Sequence, residues 1–97
     1  MKTYTTPTVI IDVPDGEQAL ADAERVIVTA QGRRTVEKDA ASVEGTAVAV
    51  AYTQRETADL GAGAVDFEVT LKMPDGTVVK TETVTATLEE AVLRREV

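Results

Sequence analysis

Histidine and cysteine are both missing from this chain of 97 residues. Most nucleophilic and metal chemistry goes with them. Without histidine there is no Ser–His or Cys–His pair and no imidazole ligand for a metal. Without cysteine there is no disulfide, the usual staple of small secreted domains, and this favours synthesis in the cytoplasm. Tryptophan is also absent, and one Phe and two Tyr are the only aromatics. The core must therefore be filled by Val, Ala, Leu and Ile, which suits thin, closely spaced sheets. Positive charge is scarce: 10 Lys and Arg stand against 17 Asp and Glu, giving a net charge of −7. That balance repels a phosphate backbone and an anionic membrane surface, so neither nucleic acid nor a membrane is expected as a partner. No run approaches the length of a membrane span. The opening Met1-Lys2-Thr3-Tyr4-Thr5-Thr6-Pro7 has one basic residue and no apolar stretch, so no secretion signal is expected.

What is present is alternation. From Ala64 to Met73 the chain places Val65, Phe67, Val69, Leu71 and Met73 on one side and Asp66, Glu68, Thr70 and Lys72 on the other. A period of two over this length is a half-buried strand. Pro74-Asp75-Gly76 is a turn, with Gly76 at the left-handed position. Thr77–Thr87 returns, rich in β-branched residues. The return strand contains a conflict of phase. Val79 fits the inward row, but Val84, Ala86 and Leu88 have the opposite parity. A one-residue slip exchanges the faces of a strand, so a bulge or sheet switch is expected between Lys80 and Thr83.

Earlier in the chain, Thr8–Val13 reads as a strand with Val9, Ile11 and Val13 inward. Asp15, with Gln18 three residues on, is expected to cap a helical turn anchored by Leu20. Glu24–Ala30 is a second strand with Val26, Val28 and Ala30 on one face. Gln31-Gly32-Arg33 turns it back into an edge-like strand, Arg34–Lys38, whose charges deter pairing with other chains. Asp39–Gly45 is a polar connection in which Val43 could form a short strand. Thr46–Tyr52 alternates Val48, Val50 and Tyr52 with Ala47, Ala49 and Ala51. Neither face is polar, so the strand is central, or its alanine row lies under a loop or a partner. The cover expected from within the chain is the segment around Leu88 and Val92. Thr53-Gln54-Arg55-Glu56 has capping-box spacing and opens a short helix to Leu60, which Gly61 should end in the left-handed conformation. Thr87-Leu88-Glu89-Glu90 is read as the start of a terminal helix, with a last extended strand as the alternative. Six or seven short strands with turns every 8–12 residues indicate one all-β domain over residues 1–97, an antiparallel sandwich of immunoglobulin type.

Few groupings offer chemistry. Asp66 and Glu68 could in principle act as paired carboxylates, but they lie on a solvated strand face. Asp12, Asp15, Glu17 and Asp22 are oxygen ligands near a turn, yet they lack the acid spacing of a calcium loop. Gly61-Ala62-Gly63 has no accompanying Lys or Ser/Thr and is a helix stop, not a phosphate loop. Arg33-Arg34 reads as a solvated tip. A sugar-binding module needs exposed rings; of Tyr4 and Tyr52, the second belongs to the core. The residues thus name no catalytic group, metal or cofactor.

One resemblance goes further. Tyr52-Thr53-Gln54-Arg55-Glu56-Thr57-Ala58-Asp59-Leu60, then Gly63-Ala64-Val65, then Pro74-Asp75-Gly76-Thr77-Val78-Val79-Lys80-Thr81-Glu82 is similar to the pattern of small immunoglobulin-like domains of phage tails and baseplates, including the N-terminal domain of the baseplate upper protein. It covers the last half of the chain. The long strand carries Phe67-Glu68-Val69-Thr70 where that family often has Gln and Arg. The resemblance implies a non-enzymatic structural module of a phage or prophage tail. It would be found in the virion or, during assembly, in the host cytoplasm, with other tail or baseplate proteins or its own copies as partners. The alternative expectation is an immunoglobulin-like adhesion or carbohydrate-binding module of a bacterial surface.

Overall fold

A computed structural model describes residues 1–97 and turns the alternating stretches into strands. In chain order the elements are β1 (Thr8–Asp12), α1 (Glu17–Asp22), β2 (Arg25–Gln31), β3 (Thr35–Asp39), β4 (Ser42–Glu44), β5 (Ala47–Ala51), α2 (Gln54–Leu60), β6 (Gly63–Lys72), β7 (Val78–Lys80) and β8 (Val84–Leu88). They form two antiparallel sheets. One has the order β1-β5-β4. The other runs β3-β2-β6, with β7 and β8 end to end along the far side of β6. The expected β-sandwich character is present. The strands number eight rather than six or seven, because Val43 sits in a strand of its own and the return strand is split.

The core is the meeting of inward rows. Val65, Phe67, Val69 and Leu71 of β6 are no more than 2% exposed. Beside them, β2 pairs in unbroken register from Arg25↔Lys72 to Gln31↔Asp66, bringing Val28 and Ala30 to the same face. The three-stranded sheet supplies Ile11, Val48, Val50 and, just past β5, Tyr52. Leu20 of α1 and Leu60 of α2 join the same cluster. Phe67 and Tyr52 meet edge to face, with ring centroids 6.2 Å apart at 62°. That geometry sets the positive edge of one ring against the negative face of the other.

The hairpin turn follows the sequence. Gly76 has φ 91°, and its N–H donates to the Met73 carbonyl at 3.0 Å. The Thr77 N–H donates to Asp75 Oδ1 at 2.9 Å. The conflict of phase resolves as expected. Thr70 pairs with Lys80, but Phe67 pairs with Val84, so Thr81–Thr83 oppose only Glu68 and Val69. At this bulge the Thr81 N–H donates to the Val69 carbonyl (2.9 Å), and Thr81 Oγ1 accepts from the Val69 N–H (3.1 Å). The hydroxyl thus satisfies a backbone donor that the break in register would have orphaned.

The α2 capping box is complete. Thr53 Oγ1 accepts from the Glu56 N–H at 3.2 Å, and Glu56 Oε1 accepts from the Thr53 N–H at 2.8 Å. Gly61 ends the helix with positive φ as expected, but its ψ of 169° takes it out of the left-handed helical well. That region is open essentially to glycine alone. Gly32, expected only as a turn residue, has a second constraint. A Cβ there would strike the Leu60 carbonyl oxygen, because the β2–β3 turn lies against the end of α2. The Arg33 N–H donates to that same carbonyl at 2.7 Å.

Two expectations about helices fail. Asp15 does not cap α1. It sits at φ 60°, Gly16 occupies the N-cap, and no side chain bonds the helix start. Gln18 instead donates to Asp22 one turn along, while Leu20 is the buried anchor foreseen. The terminal helix does not form either. Leu88 ends β8, paired with Gly63 and 1% exposed. The backbone beyond it is claimed by the N-terminus: Thr3 N–H donates to the Glu89 carbonyl (2.9 Å) and Glu89 N–H to the Met1 carbonyl (2.8 Å). Ala91 N–H donates to Thr3 Oγ1 (3.0 Å). Groups bonded in this way are not free to make helical i to i−4 bonds.

Candidate interaction surface

Most of the carboxylates that could offer chemistry have structural partners. Asp66 accepts from the Thr85 hydroxyl at 2.6 Å, and Glu68 lies 3.5 Å from Lys80 across the strands. Asp12 accepts from the Thr46 hydroxyl at 2.6 Å. Asp15, Glu17 and Asp22 do not converge with it, and no three acidic side chains are placed to hold a metal ion. Gly61 and Gly63 end α2 and begin β6.

One polar cluster was not legible beforehand. Lys38 Nζ donates to the Ala51 carbonyl (2.6 Å) and to Glu56 Oε1 (2.8 Å), and lies 5.6 Å from the centre of the Tyr52 ring. It ties the edge strand β3 to β5 and to the start of α2. Burial pushes the Glu56 carboxyl up, but Lys38 and the Thr53 N–H outweigh this and hold it below the usual range. Tyr52 is 3% exposed, and its hydroxyl is buried with no hydrogen-bond partner. Burial, then the negative charge of Glu56, push the phenol up to about 12. Near neutral pH it carries no charge. The signal for this cluster was weak, since Lys38 and Glu56 lie on different elements and meet only when α2 packs on β3.

The alanine row faces outward. Ala47, Ala49 and Ala51 stand beside Asp12, Ile10 and Thr8 of β1 and, on the other side, Glu44 and Ser42 of β4. The expected internal cover is absent: Leu88 is in the core and Val92 is 96% exposed. Ile10, next to Ala49, is 69% exposed. β5 is the central strand of its sheet, as foreseen. Around the edge from β1, a groove of about 570 Å³ opens between Asp12-Val13-Pro14 and the segment Val79–Val84. Compared with known families, curated proteins and solved structures, the chain matches none.

Proposed function

We propose that this chain is a non-enzymatic interaction module of immunoglobulin-like topology, belonging to a phage or prophage tail or baseplate. The topology is supported by the way the chain crosses between sheets. It passes from one to the other at β1→β2, β3→β4 and β5→β6, and closes with the β6–β7 hairpin, as an immunoglobulin-type Greek key does. The tail assignment is supported by the residues of the resemblance: the Thr53–Glu56 pair forms the helix cap, Gly63 opens the long strand β6, and Pro74-Asp75-Gly76 makes the hairpin turn after it.

The observation that carries the interaction reading is the outer face of the β1-β5-β4 sheet. On a chain of net charge −7, Ile10 and the alanine row form a flat apolar strip. Such strips mark contact surfaces. Shallow alanine walls suit another backbone or sheet better than a small ligand, whose pocket needs larger lining side chains. The surface-adhesion alternative has less to work with, because Tyr52 is buried and Tyr4 is the only other polar aromatic.

The test is mass spectrometry of purified tail particles from the phage or induced prophage that carries the gene. The chain should be present in fixed ratio to other tail proteins, and Ala49→Glu should remove it from particles while its fold survives. Absence of the native chain from particles, together with binding to a glycan array, would replace this reading with the adhesion module.

A further inference from the structure

The two sheets differ in width. The upper one has three strands, β4, β5 and β1; the lower has four, with β7 and β8 sharing the last place. The surplus strand lies on the β1 side. Val79 stands opposite Leu71 and Val84 opposite Phe67, on the face that points into the sandwich. Yet these valines are 43% and 46% exposed, whereas Leu71 and Phe67 are each 2% exposed. The upper sheet is one strand short over this strip, and the groove of about 570 Å³ is the result.

The outer edge of β1 is built to receive that strand. The Pro7 carbonyl accepts from the Tyr52 N–H, and the Val13 N–H donates to the Thr46 carbonyl, so the odd-numbered residues bond toward β5. Antiparallel ladders alternate, so Thr8, Ile10 and Asp12 turn both backbone groups outward. The other free edges carry features that deter pairing. β3 bears Glu37, Lys38 and Asp39, and β4 is three residues long. β7 is equally short, contains Lys80 and runs into the bulge. β8 is as long as β1 and uncharged, but it starts at that bulge, and the backbone at its end is bonded by Met1 and Thr3. β1 has five residues, no bulge and no charge before Asp12.

We infer that this edge and groove take a single extended strand donated by a cationic partner chain. The donated strand runs along Thr8–Asp12, seats apolar side chains at every second position on Val79 and Val84, and carries a basic residue beside Asp12. Charge selects the partner. The groove holds Asp12 and Glu82, and its one cation, Lys80, already faces Glu68 at 3.5 Å. A second copy of this chain fits on neither count. It would bring another −7. Pairing β1 with β1 about a two-fold axis would also drive the overhanging β7–β8 line of each copy into the lower sheet of the other. The occupant is therefore a strand with no sheet behind it, adding to the edge through main-chain bonds while alternate side chains fill the groove.

This rests on the interaction reading above and gives it a site and a partner class. The test is an NMR titration of the full chain with three short capped peptides. One alternates valine with lysine or threonine, one has glutamate for each lysine, and one groups the valines together. The alternating basic peptide should saturably shift Thr8, Ile10, Asp12 and the methyls of Val79 and Val84, and should slow amide exchange at the three β1 positions by about tenfold or more. The glutamate peptide should bind at least about tenfold more weakly. Val84→Glu, at an exposed position, and Ile10→Pro, which removes an outward N–H and no bond to β5, should each abolish these shifts in a folded protein. Equal binding of the grouped peptide, shifts confined to other surfaces, or none at β1 with any peptide would overturn the inference. If the groove fails while the chain is still found in tail particles, the interaction reading stands. If the groove binds while the chain is missing from particles, only the tail assignment falls.

Discussion

The two flanks of β6 are written in the same alternating code and reach different states. On one side β2 pairs with it over seven residues without a break, and Val28 and Ala30 are fully buried. On the other side β7 and β8 divide its length, the register slips by one, and Val79 and Val84 remain nearly half exposed. Side-chain chemistry does not separate them, since both flanks present valine to the same inner face. What differs is the layer above. The three-stranded sheet covers the β2 side and stops short of the β7–β8 side. Alternation decides which way a side chain points, but the opposing sheet decides whether it leaves water.

The largest effect should come from Phe67, which stands between Ala30 of β2 on one side and Val84 of β8 on the other. Phe67→Ala should cost about 3–5 kcal/mol in urea denaturation, a large part of the stability of a domain of this size. A loss near that of a surface change would mean that the aromatic pair with Tyr52 does not centre the core. Next comes the comparison itself. Val28→Ala should cost about 2 kcal/mol, from two buried carbons and the cavity they leave. Val84→Ala, on the same face, should stay under about 0.5 kcal/mol. Equal losses would show that the open flank is covered in solution.

Smaller effects probe how each flank is closed. Gly76 has open space where a Cβ would go, so Gly76→Val tests backbone strain alone and should cost about 1–2 kcal/mol. Thr53→Ala should cost about 1 kcal/mol through loss of the α2 cap. The least effect is the pH response of the covered side. Glu56 titrates below its unfolded value in the native state, so its contribution is fully present above the unfolded value of about 4.3 and is lost as pH falls through the native one. The hydrogen bonds from Arg25 to Asp39 and from the Thr77 N–H to Asp75 act in the same direction. The urea midpoint should be flat from about pH 7 to 5 and should decline below about 4. Glu56→Gln should flatten part of that decline.

Much of the fold was legible because its causes are local. The β6 row, the Gly76 turn and the Thr53–Glu56 cap each depend on residues within a few positions of one another. Even the bulge could be placed, since Val79 and Val84 cannot share a face in an unbroken strand. The failures share a different cause. Thr87–Arg95 has helical spacing, but Thr3, 88 residues away, accepts from the Ala91 N–H, a donor that the helix would need. Asp15 has the chemistry of a cap, but its positive φ turns the chain so that Gly16 takes the position. Alternation alone leaves the alanine row either open or covered by the segment around Leu88 and Val92; it faces outward because Leu88 is drawn into the core as the partner of Gly63.

The candidate surface divides in the same way. Composition and alternation by themselves determined a two-faced β protein of strong negative charge, with no histidine or cysteine chemistry and with one strand that alternates alanine with larger apolar residues. Tertiary structure alone decided that this strand lies outward beside Ile10, that Lys38 joins β3 to α2, and that the lower sheet outreaches the upper by one strand. The physical reason is range. Periodicity, turns and caps are set by bonds between near neighbours, whereas exposure and sheet width depend on which distant segments arrive to pack, and no local pattern records that.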